Sequence, residues 1–195
     1  MFEVFLGTTM VRISFLFPAM VIVLLSLDPS HTVLLCLFAS LLHEAGHALA
    51  MLIVHDRPRR VTVGIFGVSI ERDRQHYPSY AAALAVSLAG PLINYLCCVG
   101  LWLCGCRLAA IIHAALGLFN ALPIVSLDGG EALYAACCLC CSEETALRIV
   151  RIVSAVVLFP LATLGFCLLF SDAHNVTLLL MSGYLIVLLF LKEKH

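Results

Sequence analysis

Charge is scarce in this chain. Of its 195 residues only 11 are Lys or Arg and 12 are Asp or Glu, 12% together, where a soluble domain averages roughly 25%. A surface that poor in charge excludes an ordinary water-soluble globule. The net charge of −1 and the lack of any basic stripe give nucleic acid nothing to bind, so no nucleic-acid partner is expected. No low-complexity linker and no internal repeat interrupts the sequence, and residues 1–195 read as a single domain. A secretory leader is also missing from the reading. Ile13–Leu27 follows Arg12, but Asp28-Pro29-Ser30 comes next instead of a small-residue cleavage pattern. A retained first helix is expected.

What the chain does have is apolar length. Hydrophobic residues make up 63% of it, which places it among integral membrane proteins. Six apolar segments, about Met10–Leu27, Thr32–Val54, Tyr80–Cys104, Leu108–Ile124, Ile149–Phe170 and Val176–Leu191, fit single helical spans. The expected fold is therefore an all-α polytopic membrane protein of about six transmembrane helices. With six spans, Arg12, Arg57, Arg59, Arg60, Arg72, Arg74, Arg148, Arg151, Lys192 and Lys194 fall on one side and Arg107 alone on the other. By the positive-inside rule both termini are expected in the cytoplasm. The cytoplasmic stretch Arg60-Val-Thr-Val-Gly-Ile-Phe-Gly-Val-Ser-Ile-Glu71 is β-branched, with glycines at 64 and 67. It predicts a short membrane-associated β-loop of two strands between the second and third spans. The ten cysteines lie in or beside apolar segments, where a thiol acts as a small buried apolar residue. No structural disulfides are expected.

Inside the second segment stands His43-Glu44-Ala45-Gly46-His47. Two histidines four apart sit about 40° apart around a helix, so both imidazoles reach one metal ion, with a glutamate beside it as general base. Helix-packing histidines with a neutralised glutamate are the bland alternative; burying three such groups with no shared role is costly. A zinc site needs a third protein ligand and an open position. Asp128, in Asn120-Ala-Leu-Pro-Ile-Val-Ser-Leu-Asp-Gly-Gly130, is the candidate, since Pro123 breaks the fourth span. Gly129-Gly130 would permit a sharp backbone course just after it. An aspartate merely solvated at a helix end is the competing reading. On straight helices Asp128 would also lie about 9–10 Å too far toward the cytoplasm to meet the histidines. The fourth helix must therefore begin farther out, tilt, or bend at Pro123.

His43-Glu44-Ala45-Gly46-His47 taken with Asn120-x-x-Pro123-x-x-x-x-Asp128-Gly129 resembles the site-2 protease family of intramembrane zinc metalloproteases. Ala89-Gly90-Pro91-Leu92-Ile93-Asn94 and Gly64-Ile-Phe-Gly67 resemble two further segments of that family. The matches run from the second to the fourth span, a catalytic core of about residues 32–130. The six-span plan is similar to the sporulation-type branch, which processes a sigma-factor precursor. Neither that branch's nucleotide-sensing domain nor a PDZ domain is expected here, so regulation is not carried over. The resemblance implies one zinc ion on His43, His47 and Asp128, Glu44 as general base, and a bacterial cytoplasmic membrane. It also puts Asn120 close to the site. There its amide could support the scissile carbonyl, or equally bond the carbonyl that Pro123 leaves free. Gly64 and Gly67 mark a β-loop that could hold an extended substrate, an ordinary loop being the alternative. Gly90, Pro91 and Asn94 read as packing and helix-shaping residues, and His113 as a packing residue. The cysteine run Cys137-Cys138-Leu139-Cys140-Cys141 reads as no second metal site, because adjacent thiols seldom surround one ion.

Membrane-associated protein substrates, membrane lipid and inhibitory or regulatory membrane proteins are the implied partners. Two other functions stay open at this point. One is a membrane metal-ion transporter. The other is a non-catalytic scaffold that binds peptide.

Overall fold

The computed structural model describes residues 2–6, 9–55, 60–64, 67–71, 79–171 and 177–191. Seven helices carry the fold among these residues: α1 (Leu16–Leu27), α2 (Thr32–Ile53), α3 (Tyr80–Leu103), α4 (Arg107–Asn120), α5 (Asp128–Cys138), α6 (Glu143–Ser171) and α7 (Thr177–Leu191). Four strands accompany them: β1 (Phe2–Leu6), β2 (Thr9–Ile13), β3 (Arg60–Gly64) and β4 (Gly67–Glu71), in the sheet order β1-β2-β3-β4. β1 and β2 form an antiparallel hairpin, β2 lies parallel to β3, and β3 pairs antiparallel with β4 out to Gly64 and Gly67. Arg57, Arg59, Arg72, Arg74, Lys192 and Lys194, used above for topology, lie outside the described residues.

Three described helices are long and apolar enough to cross a bilayer, Thr32–Ile53, Tyr80–Leu103 and Glu143–Cys167. α1 and α4 are apolar but shorter. The first expected segment, Met10–Leu27, is in fact divided. Its opening residues belong to β2, where Val11 and Ile13 suit an extended chain, and the helix starts only at Leu16.

α3 is the hub, packed against α2, α4 and α5, and α6 packs against α5 and α7. Gly46 sits where α2 meets α3. A Cβ there would come within 2.8 Å of Ile93 Cγ1 and 2.9 Å of the Ala89 carbonyl, so its absence lets the two backbones close up. α3 and α4 form a helical hairpin whose corner, Gly105, has φ +80, a left-handed conformation that glycine adopts freely. At that corner the Arg107 guanidinium lies 5.9 Å from the Trp102 ring centre. All ten cysteines are free thiols.

The fourth expected segment resolves into two helices. α4 stops at Asn120, three residues before Pro123, and a turn leads to α5. Ile124 in that turn is buried against Leu158 of α6 and Leu185 of α7. Ser154, fully buried on α6, accepts the Val125 N–H at 2.9 Å and donates to the Val150 carbonyl at 2.7 Å. Fourteen residues of α4 rise about 21 Å, short of a hydrocarbon core of about 30 Å. The polar backbone of the turn is met by protein, at Val125 through Ser154.

At the opposite end of α2, Asp28 caps the helix from four residues before its start. Its carboxylate accepts the N–H of Val33 at 2.6 Å, the Ser30 hydroxyl at 2.6 Å and the Ser30 N–H at 3.0 Å. The Ser30 hydroxyl and then the Val33 amide hold this carboxyl below its ordinary value of 3.8. A depressed folded value means the cap's contribution is complete above the ordinary value and is lost as pH falls through the lower one. Asp28→Ala should therefore lower the thermal midpoint of the detergent-solubilised protein at neutral pH. The gap from wild type should close as the pH is taken below the carboxylate range; a gap that persists there would rule out the charged cap.

Candidate metal centre

α2 places His43 and His47 one turn apart on a single buried face. α5 begins at Asp128, whose side chain is 25% exposed. The turn pinned by Ile124 and Ser154 delivers that first residue to the two rings. His43 Nε2 is 2.9 Å from Asp128 Oδ2, His47 Nε2 is 3.2 Å from the same oxygen, and the two Nε2 atoms are 3.1 Å apart. The rings meet edge to face, their planes 79° apart and centres 4.8 Å apart. Among the described residues this is the one group of three or more His, Cys, Asp or Glu side chains close enough to share an ion.

The chemistry of the group fits zinc. Two imidazoles and a carboxylate are a donor set zinc accepts, leaving a fourth position open. Ligand atoms around tetrahedral zinc, with bonds of about 2.0–2.1 Å, stand about 3.3 Å apart. The observed separations need only a few tenths of an ångström of expansion. His47 is already set for the task. Its Nδ1–H donates to the Val86 carbonyl of α3 at 2.8 Å, which fixes the tautomer with a bare Nε2. The carboxylate of Asp128 stands in the first turn of α5, where the helix dipole favours negative charge. Glu44, next to His43 on α2, is half-buried.

Gly90 makes the room. A Cβ at that position would stand 2.7 Å from His43 Nε2 and closer still to His47 Nε2, in the space an ion needs. Val86, Gly90 and Asn94 are spaced by four along α3 and so share one face, set against two histidines spaced by four on α2. Asn94 Nδ2 lies 3.0 Å from His43 Nδ1. Packing and helix shaping, the reading given above to Gly90 and Asn94, thus understates both, since each addresses a ligand ring directly. The four-residue spacing was the available signal.

Two other expectations change. Gly129 and Gly130 do not make a sharp turn after Asp128; both lie in the first turn of α5. Their missing Cβ atoms let that turn close on the preceding one. A Cβ on Gly129 would meet the Ala121 carbonyl and come within 2.5 Å of the Leu122 oxygen, and one on Gly130 would come within 2.9 Å of Val125 N. The Asn120 amide donates to the Leu116 carbonyl of its own helix at 3.1 Å. The carbonyl that Pro123 would have left free, Phe119 O, accepts Leu122 N–H at 3.2 Å instead. The depth mismatch is settled by the short α4, which stops and turns before the proline.

No family model matches the chain. It is 32% identical over 112 residues to "Putative zinc metalloprotease sll0528" of Synechocystis sp., a match covering 51% of this chain and 29% of that protein. The chain thus spans less than a third of that relative's length. In three dimensions it is similar to the site-2 protease from Methanocaldococcus jannaschii. The TM-score is 0.67 with 18% identity, over 94% of this chain and 91% of that one. This second likeness is one of fold.

Gly90→Ala tests the cradle. The variant should lose most of its zinc, at least tenfold by mass-spectrometric metal analysis of purified protein, while keeping wild-type helicity. Undiminished zinc in a folded Gly90→Ala protein would show that the ion, if bound, sits elsewhere.

Proposed function

We propose that this chain is an intramembrane zinc metalloprotease that hydrolyses peptide bonds of membrane-associated proteins within or beside the bilayer. The observation that carries the reading is the meeting of His43, His47 and Asp128 on helices apolar enough to lie in a membrane, with Glu44 alongside. The curated relative and the site-2 protease fold support it. One compact group of candidate ligands among the described residues also favours hydrolysis over transport, which calls for polar side chains along a path to both faces.

His43, His47 and Asp128 would hold the zinc ion. When bound, zinc acidifies a water and polarises a carbonyl. Glu44 takes a proton from the water that attacks the peptide carbon. As the C–N bond breaks, Glu44 passes that proton to the departing nitrogen. The Val86 carbonyl keeps the His47 ring in one orientation through the cycle. A polar path from the cytoplasmic side supplies the water.

The membrane plan belongs to the same proposal. Six spans, both termini in the cytoplasm and a bacterial cytoplasmic membrane agree with the distribution of Lys and Arg. β3 and β4 are the membrane-associated β-loop, with Gly64 and Gly67 at its turn. A helical substrate hides its carbonyls in its own hydrogen bonds, so it must be extended at the cut, and adding a strand to this sheet is a way to hold it so. Asn120 supports the developing oxyanion once its amide leaves Leu116 O. The substrate class is a membrane-associated transcription-factor precursor, processed as in the sporulation-type branch, with regulation supplied by partner membrane proteins.

Glu44→Gln should cut the rate of cleavage by at least about 10²-fold while one zinc per chain is retained. The comparison is of membrane-proteome fragments from cells expressing active or Glu44→Gln protein, together with metal content of each purified form. Fragment patterns that do not differ, with both proteins equally present and zinc-loaded, would remove proteolysis from consideration.

A further inference from the structure

The corner between α3 and α4 carries two thiols that the metal centre does not use. Cys104-Gly105-Cys106 has both cysteines exposed. The corner is a Schellman turn. The Gly105 N–H donates to the Trp102 carbonyl at 3.1 Å and the Cys106 N–H to the Leu101 carbonyl at 2.9 Å. Gly105, at φ +80, supplies the left-handed residue that such a turn needs. A left-handed residue separates its neighbours' Cα atoms as its right-handed mirror does, by about 5.4 Å. Disulfides bridge Cα atoms roughly 4.4–6.8 Å apart.

The turn also bears on which side the thiols take. Along a helix, residues two apart point about 200° apart and cannot be bridged. In a Schellman turn the chain doubles back, and the residue in the place of Cys106 packs toward the one in the place of Leu101. Cys104 neighbours Leu101 as well, being three residues on along the same helical turn. Both cysteines therefore flank one residue. Cys138-Leu139-Cys140 has the same spacing without the same turn. Leu139 is right-handed, at φ −70 and ψ −22, and Cys138 is half-buried. Among the described residues, the α3–α4 corner is the one Cys-x-Cys with a left-handed centre and two exposed thiols. Nothing stands within 4 Å of where a Cβ on Gly100 or Gly105 would be, so the corner is open to a second molecule.

We propose that Cys104 and Cys106 are a thiol–disulfide exchange pair, which takes an exchangeable disulfide as its substrate. One cysteine gives up its proton and attacks a sulfur of that disulfide. A mixed disulfide forms, and the displaced sulfur leaves and takes up a proton as a thiol. The second cysteine, deprotonated in turn, attacks the first, closes the Cys104–Cys106 bond and releases the other half of the substrate as a second thiol. Two electrons and two protons pass from the pair to the substrate. The small ring and its exposure keep the new bond labile, unlike a structural disulfide. The corner lies opposite the Arg-rich side, in an oxidising space. That placement rests on the membrane plan proposed above; the chemistry of the pair does not.

The test takes the purified full-length protein through mixtures of reduced and oxidised glutathione, with acid quenching and peptide mass spectrometry. A Cys104–Cys106 bond should appear as the loss of two hydrogens and should be reversed by excess dithiothreitol. It should exceed the mixed disulfide with glutathione at least about tenfold, since the second attack is internal. Cys104→Ser and Cys106→Ser should each stop at the mixed disulfide. Glutathione retained on both cysteines of the wild type would overturn the pair. So would thiols that stay reduced in the most oxidising mixture, or a bond from either cysteine to a third. In sealed right-side-out vesicles a membrane-impermeant maleimide should label the reduced pair. Labelling in inverted vesicles alone would overturn the membrane plan and the oxidising placement with it.

Discussion

Everything in this molecule turns on bringing two imidazole nitrogens and a carboxylate oxygen within about 3 Å of one another inside an apolar body. Such a meeting is electrostatically expensive with no proton or cation among the three. The surrounding helices exist in the arrangement they do because each removes one way of escape. α3 gives His47 a carbonyl it can only donate to, and gives both rings a glycine where any side chain would intrude. α6 and α7 hold the turn that presents Asp128, through Ser154 on its backbone and through Ile124 in the apolar core.

The glycines divide this labour in an informative way. Gly46 brings α2 and α3 together, Gly90 clears the space before the rings, and Gly129 and Gly130 let α5 nest against the turn before it. None of the four has the left-handed backbone that Gly105 shows. Their common property is the absent methyl group, used for closeness in a setting where water-driven packing is weak.

The sequence disclosed the three candidate metal ligands well and the residues around them poorly. His43, His47 and Asp128 were legible because ionisable side chains in apolar stretches have few other uses. The long apolar runs likewise gave α2, α3 and the body of α6. Asn94 and His113 were not promoted, since a lone amide or imidazole in a helix gives no sign of what faces it across a helix boundary. The end of α4 escaped because apolar composition runs on through Leu122 and Ile124 past the true stop at Asn120. Hydropathy records what a residue dissolves in and is blind to where hydrogen bonding ceases. The N-terminal hairpin was missed for a similar reason: Met10, Val11 and Ile13 are as apolar as a span and are strands instead.

The placement of Ser154 and Leu158, some thirty residues beyond the aspartate, bears on how the protein is made. During synthesis the two imidazoles and their α3 and α4 partners leave the ribosome first. The carboxylate follows, and the helices that seat it come on the order of a few seconds later at ordinary elongation rates. A nascent chain caught in that interval carries an unfinished centre, with two good ligands and a third still wandering. The three-residue centre would therefore be complete only at the close of membrane insertion.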